Sequence, residues 1–103
     1  EINSIKEAIS AAEMVLNSVW RTIRPSITEK EVAWHILEGL WRHAEGPSFF
    51  PIVASGPNAA LPHAIPTDRP IEEGEPIIVD MGAKLGGYCS DMTRTMFVGE
   101  PKA

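Results

Sequence analysis

Apolar residues recur at three- and four-residue steps through the first quarter of the chain. Wound at helical pitch, Ile5, Ile9, Ala12, Leu16, Val19 and Ile23 form one stripe, which predicts an amphipathic helix from about Asn3 to Arg24. Ser4 followed by Glu7 has the spacing of a capping box, in which each side chain satisfies a backbone N–H at the helix start. Pro25 stops the helix, because the residue before a proline avoids helical conformation. Thr28 and Glu31 repeat the capping pattern and open a second helix to about His43. Val32, Ile36 and Leu40 form its apolar face, Ala33 and Leu37 widen it, and Gly46-Pro47 ends it. The short connection makes the two helices neighbours that pack on a shared partner.

Beyond residue 45 the period changes. Phe49 to Val53 reads as a strand, and Pro51 within it suits a sheet edge or a bulge. Residues 56–76 hold five of the nine prolines (Pro57, Pro62, Pro66, Pro70 and Pro76), which predicts an ordered loop, since proline removes backbone freedom. Ile77 to Ala83 and Tyr88 to Val98 are strand-like runs on either side of Gly86-Gly87, a hairpin signal. The expected architecture is therefore α+β: one domain over residues 1–103, two helices packed on an antiparallel sheet that ends in a long hairpin.

Composition narrows the function. The chain has 103 residues, with nine Lys and Arg against 14 Asp and Glu for a net charge of −5. An acidic balance without a basic block argues against nucleic acid as a partner. No apolar run is long enough to span a bilayer and no leader opens the chain, so no membrane is expected. A single cysteine, Cys89, cannot form an internal disulfide, which makes the cytoplasm the natural compartment.

Asp80 and Asp91 carry the chemistry. Asp80 follows Ile77-Ile78-Val79, where a carboxylate is costly to bury without a partner. If the hairpin turns at Gly86-Gly87, Leu85 faces Tyr88, Asp91 faces Gly82 and Asp80 faces Thr93. Both acids then lie on one face as diagonal neighbours, with room left beside them by Gly82. The other face collects Ile77, Val79, Met81, Met92, Met96 and Val98 as a core face, and Arg94 points that way too. An odd turn length would separate the acids. Two carboxylates about 5 Å apart repel by roughly 3 kcal/mol at an effective dielectric of 20. A shared proton, Arg94 or Lys84, or divalent cations would offset this, and metal is the best of the three.

These residues sit in longer motifs. Ile52-Val53-Ala54-Ser55-Gly56-Pro57-Asn58, Pro62-His63-Ala64, Gly74-Glu75, Val79-Asp80-Met81-Gly82-Ala83 and Gly87-Tyr88-Cys89-Ser90-Asp91-Met92-Thr93-Arg94-Thr95 together resemble the Xaa-Pro dipeptidases and aminopeptidase P. Those enzymes are pita-bread metallopeptidases, as is methionine aminopeptidase. The likeness spans nearly the whole chain and includes Thr28-Glu29-Lys30-Glu31-Val32. It implies the N-terminal half of a pita-bread catalytic domain, with a dinuclear manganese, cobalt or zinc site that activates a hydroxide against a peptide bond preceding proline. By the same likeness Asp80 chelates one metal, Asp91 bridges both, and His63 binds or polarises the substrate. The family's remaining ligands, one His and two Glu, have no counterpart here. The expected metal affinity of the isolated chain is therefore weak or nil, and no peptidase activity is expected from a monomer.

The chain departs from the family's pattern in places. Ser26 follows Pro25 where glycine is usual, Phe49-Phe50 places an aromatic where an acidic or small polar residue is common, and Trp20, Trp34 and Trp41 add apolar area expected to serve helix packing or an interface. His35 and His43 read as solvated, Cys89 as a small interior residue, and Glu72-Glu73 as a solvated turn. Two functions compete. One is a fragment of a metal-dependent Xaa-Pro peptidase, active only with a complementary second half. The other is a half-fold that pairs with itself as a homodimer and serves a structural or metal-binding role; a non-catalytic peptide-binding module stands third.

Overall fold

The computed structural model describes residues 2–60 and 65–98, with side chains from residue 5 onward. Two helices, α1 (Ile2–Trp20) and α2 (Glu29–His43), precede five strands: β1 (Ile52–Ser55), β2 (Pro76–Met81), β3 (Lys84–Leu85), β4 (Tyr88–Cys89) and β5 (Met92–Phe97). A 3-10 turn, Gly56–Ala60, follows β1. The α+β expectation holds.

Helix α1 differs from its predicted form at both ends and on its buried face. Residue 4 already lies inside the helix, so Ser4 is not its cap. The helix closes at Trp20, four residues early, because Thr22 donates both its N–H (2.8 Å) and its hydroxyl (2.7 Å) to the Val19 carbonyl. The buried face is Ala8, Ala11, Ala12, Val15, Leu16 and Val19, while Ile5 and Ile9 are each 41% exposed. Close approach explains the shift towards small residues. The Ser90 hydroxyl lies 3.4 Å from the Ala8 carbonyl, and a Cβ on Gly39 of α2 would stand 2.7 Å from Val15 Cγ1. A stripe drawn by apolarity alone does not register which positions must be small.

Helix α2 begins as its sequence dictates. Thr28 Oγ1 accepts the Glu31 N–H and Glu31 Oε1 accepts the Thr28 N–H, both at 3.1 Å. The next free N–H groups of the first turn find partners in a distant loop: Glu29 donates to the Arg69 carbonyl (3.1 Å) and Lys30 to the Thr67 carbonyl (3.0 Å). Ser26 donates to Ile71 and Ile71 to Ile27 in the same ribbon, at 2.8 and 2.7 Å. Ser26 holds φ = 79°, alone among the described non-glycine residues in the left-handed region.

Strand β2 is central in an antiparallel sheet of order β1-β2-β5. Pro51 is fully buried immediately before edge strand β1. The strand expected over Phe49 to Val53 therefore starts later, because Pro51 has no N–H to give a ladder and residues 45–48 pair elsewhere. Ser48 donates to the Gly82 carbonyl at 3.0 Å and Lys84 to that of Gly46 at 3.0 Å. At the hairpin tip Leu85 faces Tyr88 and Lys84 faces Cys89. Gly86 and Gly87 take φ of 61° and 81°, the pair of positive angles that a tight two-residue turn requires.

The core lies between the helices and one face of the sheet. Val15 and Leu16 of α1, Val32, Ile36 and Leu40 of α2, and Ile77, Val79 and Met81 of β2 meet there, with Val98 buried and Met92 and Met96 partly buried against them. The tryptophans are not part of that packing. Trp34 and Trp41 are 70% and 66% exposed on α2, so of the two expected roles, helix packing or an interface, their exposure goes against the first.

Candidate metal centre

Pairing across β2 and β5 sets the acids side by side. Asp80 faces Thr93 and Met81 faces Met92, the same register that places Leu85 opposite Tyr88 at the tip. No residue is gained or lost between, so the even turn length holds. Because Ile77, Val79 and Met81 point into the core, Asp80 points to the opposite face. Ile52 of β1 is its neighbour across the other ladder.

The two carboxyls touch. Asp80 is half-buried and Asp91 exposed. Burial first, then a side-chain hydrogen bond to Asp91 and that residue's charge, push the Asp80 carboxyl above its ordinary range, and a hydroxyl from Thr93 only partly offsets this. Thr93 Oγ1 donates to Asp80 Oδ1 at 3.3 Å. Among the described residues no cation answers the pair: Arg94 donates to the Thr93 carbonyl at 3.1 Å, and the ion pairs are Lys30–Asp68 and Arg69–Glu75. Two acids in contact form a site for a proton or a metal ion. They fit a divalent cation as two oxygen ligands, and no group of three or more His, Cys, Asp or Glu positioned for a metal occurs among the described residues.

Gly82 does not leave room beside the acids, as its lack of a side chain suggested. A Cβ there would collide with the Ser90 carbonyl and the Ser48 hydroxyl. Glycine is needed because three segments converge on that point: Ser48 Oγ donates to the Ser90 carbonyl at 3.0 Å and Ala83 N donates to Ser90 Oγ at 3.0 Å.

His63 lies outside the described residues. His35 and His43 are exposed, as are Glu72 and Glu73. Cys89, expected inside, is exposed on β4; the two-residue strand at the hairpin tip turns it outward where α1 covers other residues.

A family model for the metallopeptidases of family M24 matches residues 3–103. The chain belongs to metallopeptidase family M24. Its match to the Xaa-Pro dipeptidase of Pyrococcus furiosus is 39% identical, over 98% of this chain and 29% of that protein. Among solved structures, the X-Pro aminopeptidase of Thermotoga maritima superposes with a TM-score of 0.95 at 41% identity, covering 99% of this chain and 29% of that one. The Xaa-Pro dipeptidase of Bacillus anthracis gives 0.93 at 41%, with the same coverage. The M24 chain described here thus spans about 29% of the length of these relatives.

One carboxylate of this M24 chain escaped sequence reasoning. Glu29, the first residue of α2, is fully buried. Its Oε2 accepts the Ser55 N–H (2.8 Å), the Ser55 hydroxyl (2.7 Å) and the Asn58 amide (3.2 Å). Its Oε1 accepts the Thr67 N–H (3.0 Å) and hydroxyl (2.7 Å). Burial would raise its pKa, but the combined donors of Ser55, Thr67 and Asn58 overcome burial and hold it below the ordinary range. Arg69 extends the network, donating to Ser55 Oγ at 3.0 Å and gripping Glu75 through both terminal nitrogens at 2.8 and 2.6 Å. The available signal was position: Glu29 falls on the same stripe as Val32, Ala33, Ile36 and Leu40, where a charge must be enclosed.

Proposed function

We propose that this chain carries two ligands of the divalent-metal site of an Xaa-Pro peptidase, and that it forms the first half of that enzyme's catalytic domain. The Asp80–Asp91 contact carries the reading: two acids held together on an open sheet face, with no basic group paired to them among the described residues. M24 membership supports a hydrolytic metal centre, and the named relatives support a substrate with proline after the scissile bond. Asp80 and Asp91 would hold the cation, manganese, cobalt or zinc. The bound cation would supply Lewis acidity towards the peptide carbonyl.

The chain's own part is to pre-position those oxygens. The ladder between β2 and β5 fixes the carboxyls before any cation arrives, so binding exchanges carboxylate repulsion for attraction. Thr93 orients Asp80 by donating to one of its oxygens. His63 is assigned to the substrate side. Two aspartates provide at most four oxygens, fewer than a dinuclear site requires, so the remaining ligands come from polypeptide outside these 103 residues. A cytoplasmic setting agrees with the single free thiol and with the described helices, none of which is long and apolar enough to cross a membrane.

Calorimetric titration with manganese tests this directly. Weak binding that Asp91→Asn abolishes, without Xaa-Pro hydrolysis by the 103-residue chain alone, is the expected result. No binding by either the chain or the longer protein would defeat it. A homodimer is the second reading, favoured by the exposed Trp34, Trp41 and Phe50. Sedimentation of the chain as a monomer would remove it.

A further inference from the structure

The Glu29 carboxylate joins three parts of the molecule that are remote in sequence. It projects from the start of α2, takes the end of β1 through Ser55 and the following turn through Asn58, and takes the far side of the proline-rich loop through Thr67. Asn58 and Thr67 stand on either side of His63 in the sequence. Ser55 belongs to β1, whose Ile52 faces Asp80 across the sheet. One buried charge therefore refers the segments on either side of His63 in the sequence to the strand that neighbours Asp80.

Two details show that the arrangement demands a carboxylate. Both oxygens receive a main-chain N–H, and a main-chain donor cannot reverse its direction as a hydroxyl can. A glutamine amide would put an NH2 group against one of them and leave a buried donor unmatched. The surroundings are also filled. A Cβ on Gly56, which takes φ = 52°, would lie 2.5 Å from Glu75 Oε2 and 2.9 Å from Arg69 Nη2, so the ion pair packs directly over the backbone between Ser55 and Asn58.

We propose that Glu29 is a positioning residue of the peptidase site, an anionic clasp that fixes the segments 55–58 and 67–69, which stand on either side of His63 in the sequence, relative to the strand bearing Asp80. The proposal rests on the reading of His63 as the substrate-side histidine. It makes a distinction that a general stabilising role does not: loss of the clasp disturbs segments 55–58 and 67–69 and the use of substrate, and leaves the metal ligands in place.

The experiment uses the whole protein loaded with manganese, with amide exchange, manganese affinity and Xaa-Pro dipeptide hydrolysis followed together. In Glu29→Gln, exchange over residues 55–58 and 67–69 rises on the order of ten- to a hundredfold, while α1 and β5 keep their protection. The value of kcat/KM falls about tenfold or more with manganese affinity unchanged. Unchanged protection at 55–58 and 67–69 overturns the clasp. A manganese affinity that falls in step with kcat/KM overturns the positioning role and leaves only a general structural one. Should Glu29→Gln fail to fold, Thr67→Val removes one hydroxyl donor and keeps the carboxylate. It then shows the same local pattern at about threefold, and uniform loss across the molecule overturns the proposal. Wild-type protein that binds manganese yet cleaves no Xaa-Pro peptide overturns the substrate reading of His63 and the role built on it. The exchange data separately report whether the clasp exists.

Discussion

Glu29 and the Asp80–Asp91 pair are carboxylates on the two sides of the sheet's fold, one enclosed and the other on the face away from the core, and they are treated in opposite ways. Glu29 is wholly enclosed, yet donors from Ser55, Asn58 and Thr67 reach both of its oxygens. Asp80 is only half-buried, yet it meets another acid on one side and a single long hydroxyl contact on the other. Burial alone would rank Glu29 as the more unusual group. The count of donors reverses that ranking: a satisfied acid is architecture, and an unsatisfied pair has kept its capacity for an external cation.

The sharpest way to break this comparison is to remove the satisfied acid. Glu29→Ala strands the buried Ser55 N–H and the part-buried Thr67 N–H and is expected to destabilise the fold by about 3 kcal/mol in urea unfolding. A loss under 1 kcal/mol would mean that water replaces the carboxylate easily. The pH dependence has a definite sign. The folded pKa of Glu29 is depressed, so its contribution is present above the unfolded value of about 4.5 and is lost as pH falls through the lower folded value. Wild type should weaken over that acid window, and Glu29→Gln should show less of that weakening.

Next in size is Gly82→Ala, a step of two residues from Asp80 along the chain. Its Cβ would meet the Ser90 carbonyl, part of the backbone, so relief requires moving β-structure. About 2 kcal/mol of destabilisation is expected, together with weaker manganese binding, because the β2–β5 register beside the acids is disturbed. Unaltered stability would show that the convergence at Gly82 yields readily.

What could be read from sequence was local or set by parity. The Thr28–Glu31 box lies within one helical turn, and a two-glycine turn fixes every pairing above it, so α2 and the facing of Asp80 with Thr93 were legible. Contacts between remote segments were not. Nothing in the periodicity of Ser26 to Lys30 reveals that it pairs with Thr67 to Ile71, and the enclosure of Glu29 depends on that pairing. The alanine face of α1 was missed for a related reason: its residues are chosen by how near Gly39 and Ser90 come, a property of the partner. Cys89 was misplaced because a strand of two residues at a hairpin tip has too little sheet around it to cover both faces.

Ser26 offers a smaller effect of the opposite sign. The position keeps a left-handed backbone, φ = 79°, that costs a side-chain-bearing residue about 1 kcal/mol. Ser26→Gly is expected to stabilise the fold by up to about 1 kcal/mol, less the added freedom of glycine in the unfolded chain. Thermal unfolding reads this directly, and a lowered midpoint would assign the Ser26 side chain a favourable contact that outweighs its strain.

The smallest effect falls on the unsatisfied pair itself. Asp80→Asn removes one of two touching like charges, and the metal-free protein should gain about 0.5 kcal/mol. The pH sign is opposite to that of Glu29. The folded pKa of Asp80 is raised, so protonation relieves the pair and its repulsion grows as pH rises through the folded value. The gain from Asn should therefore be largest at neutral pH and fade in acid. Added manganese should invert the order, stabilising wild type through preferential binding to the folded state and leaving Asp80→Asn unmoved. If Asn instead destabilises the metal-free protein at neutral pH, the Asp80–Asp91 contact is a net support of the hairpin. Its distinction from the Glu29 enclosure would then collapse, since both acids would be serving the fold.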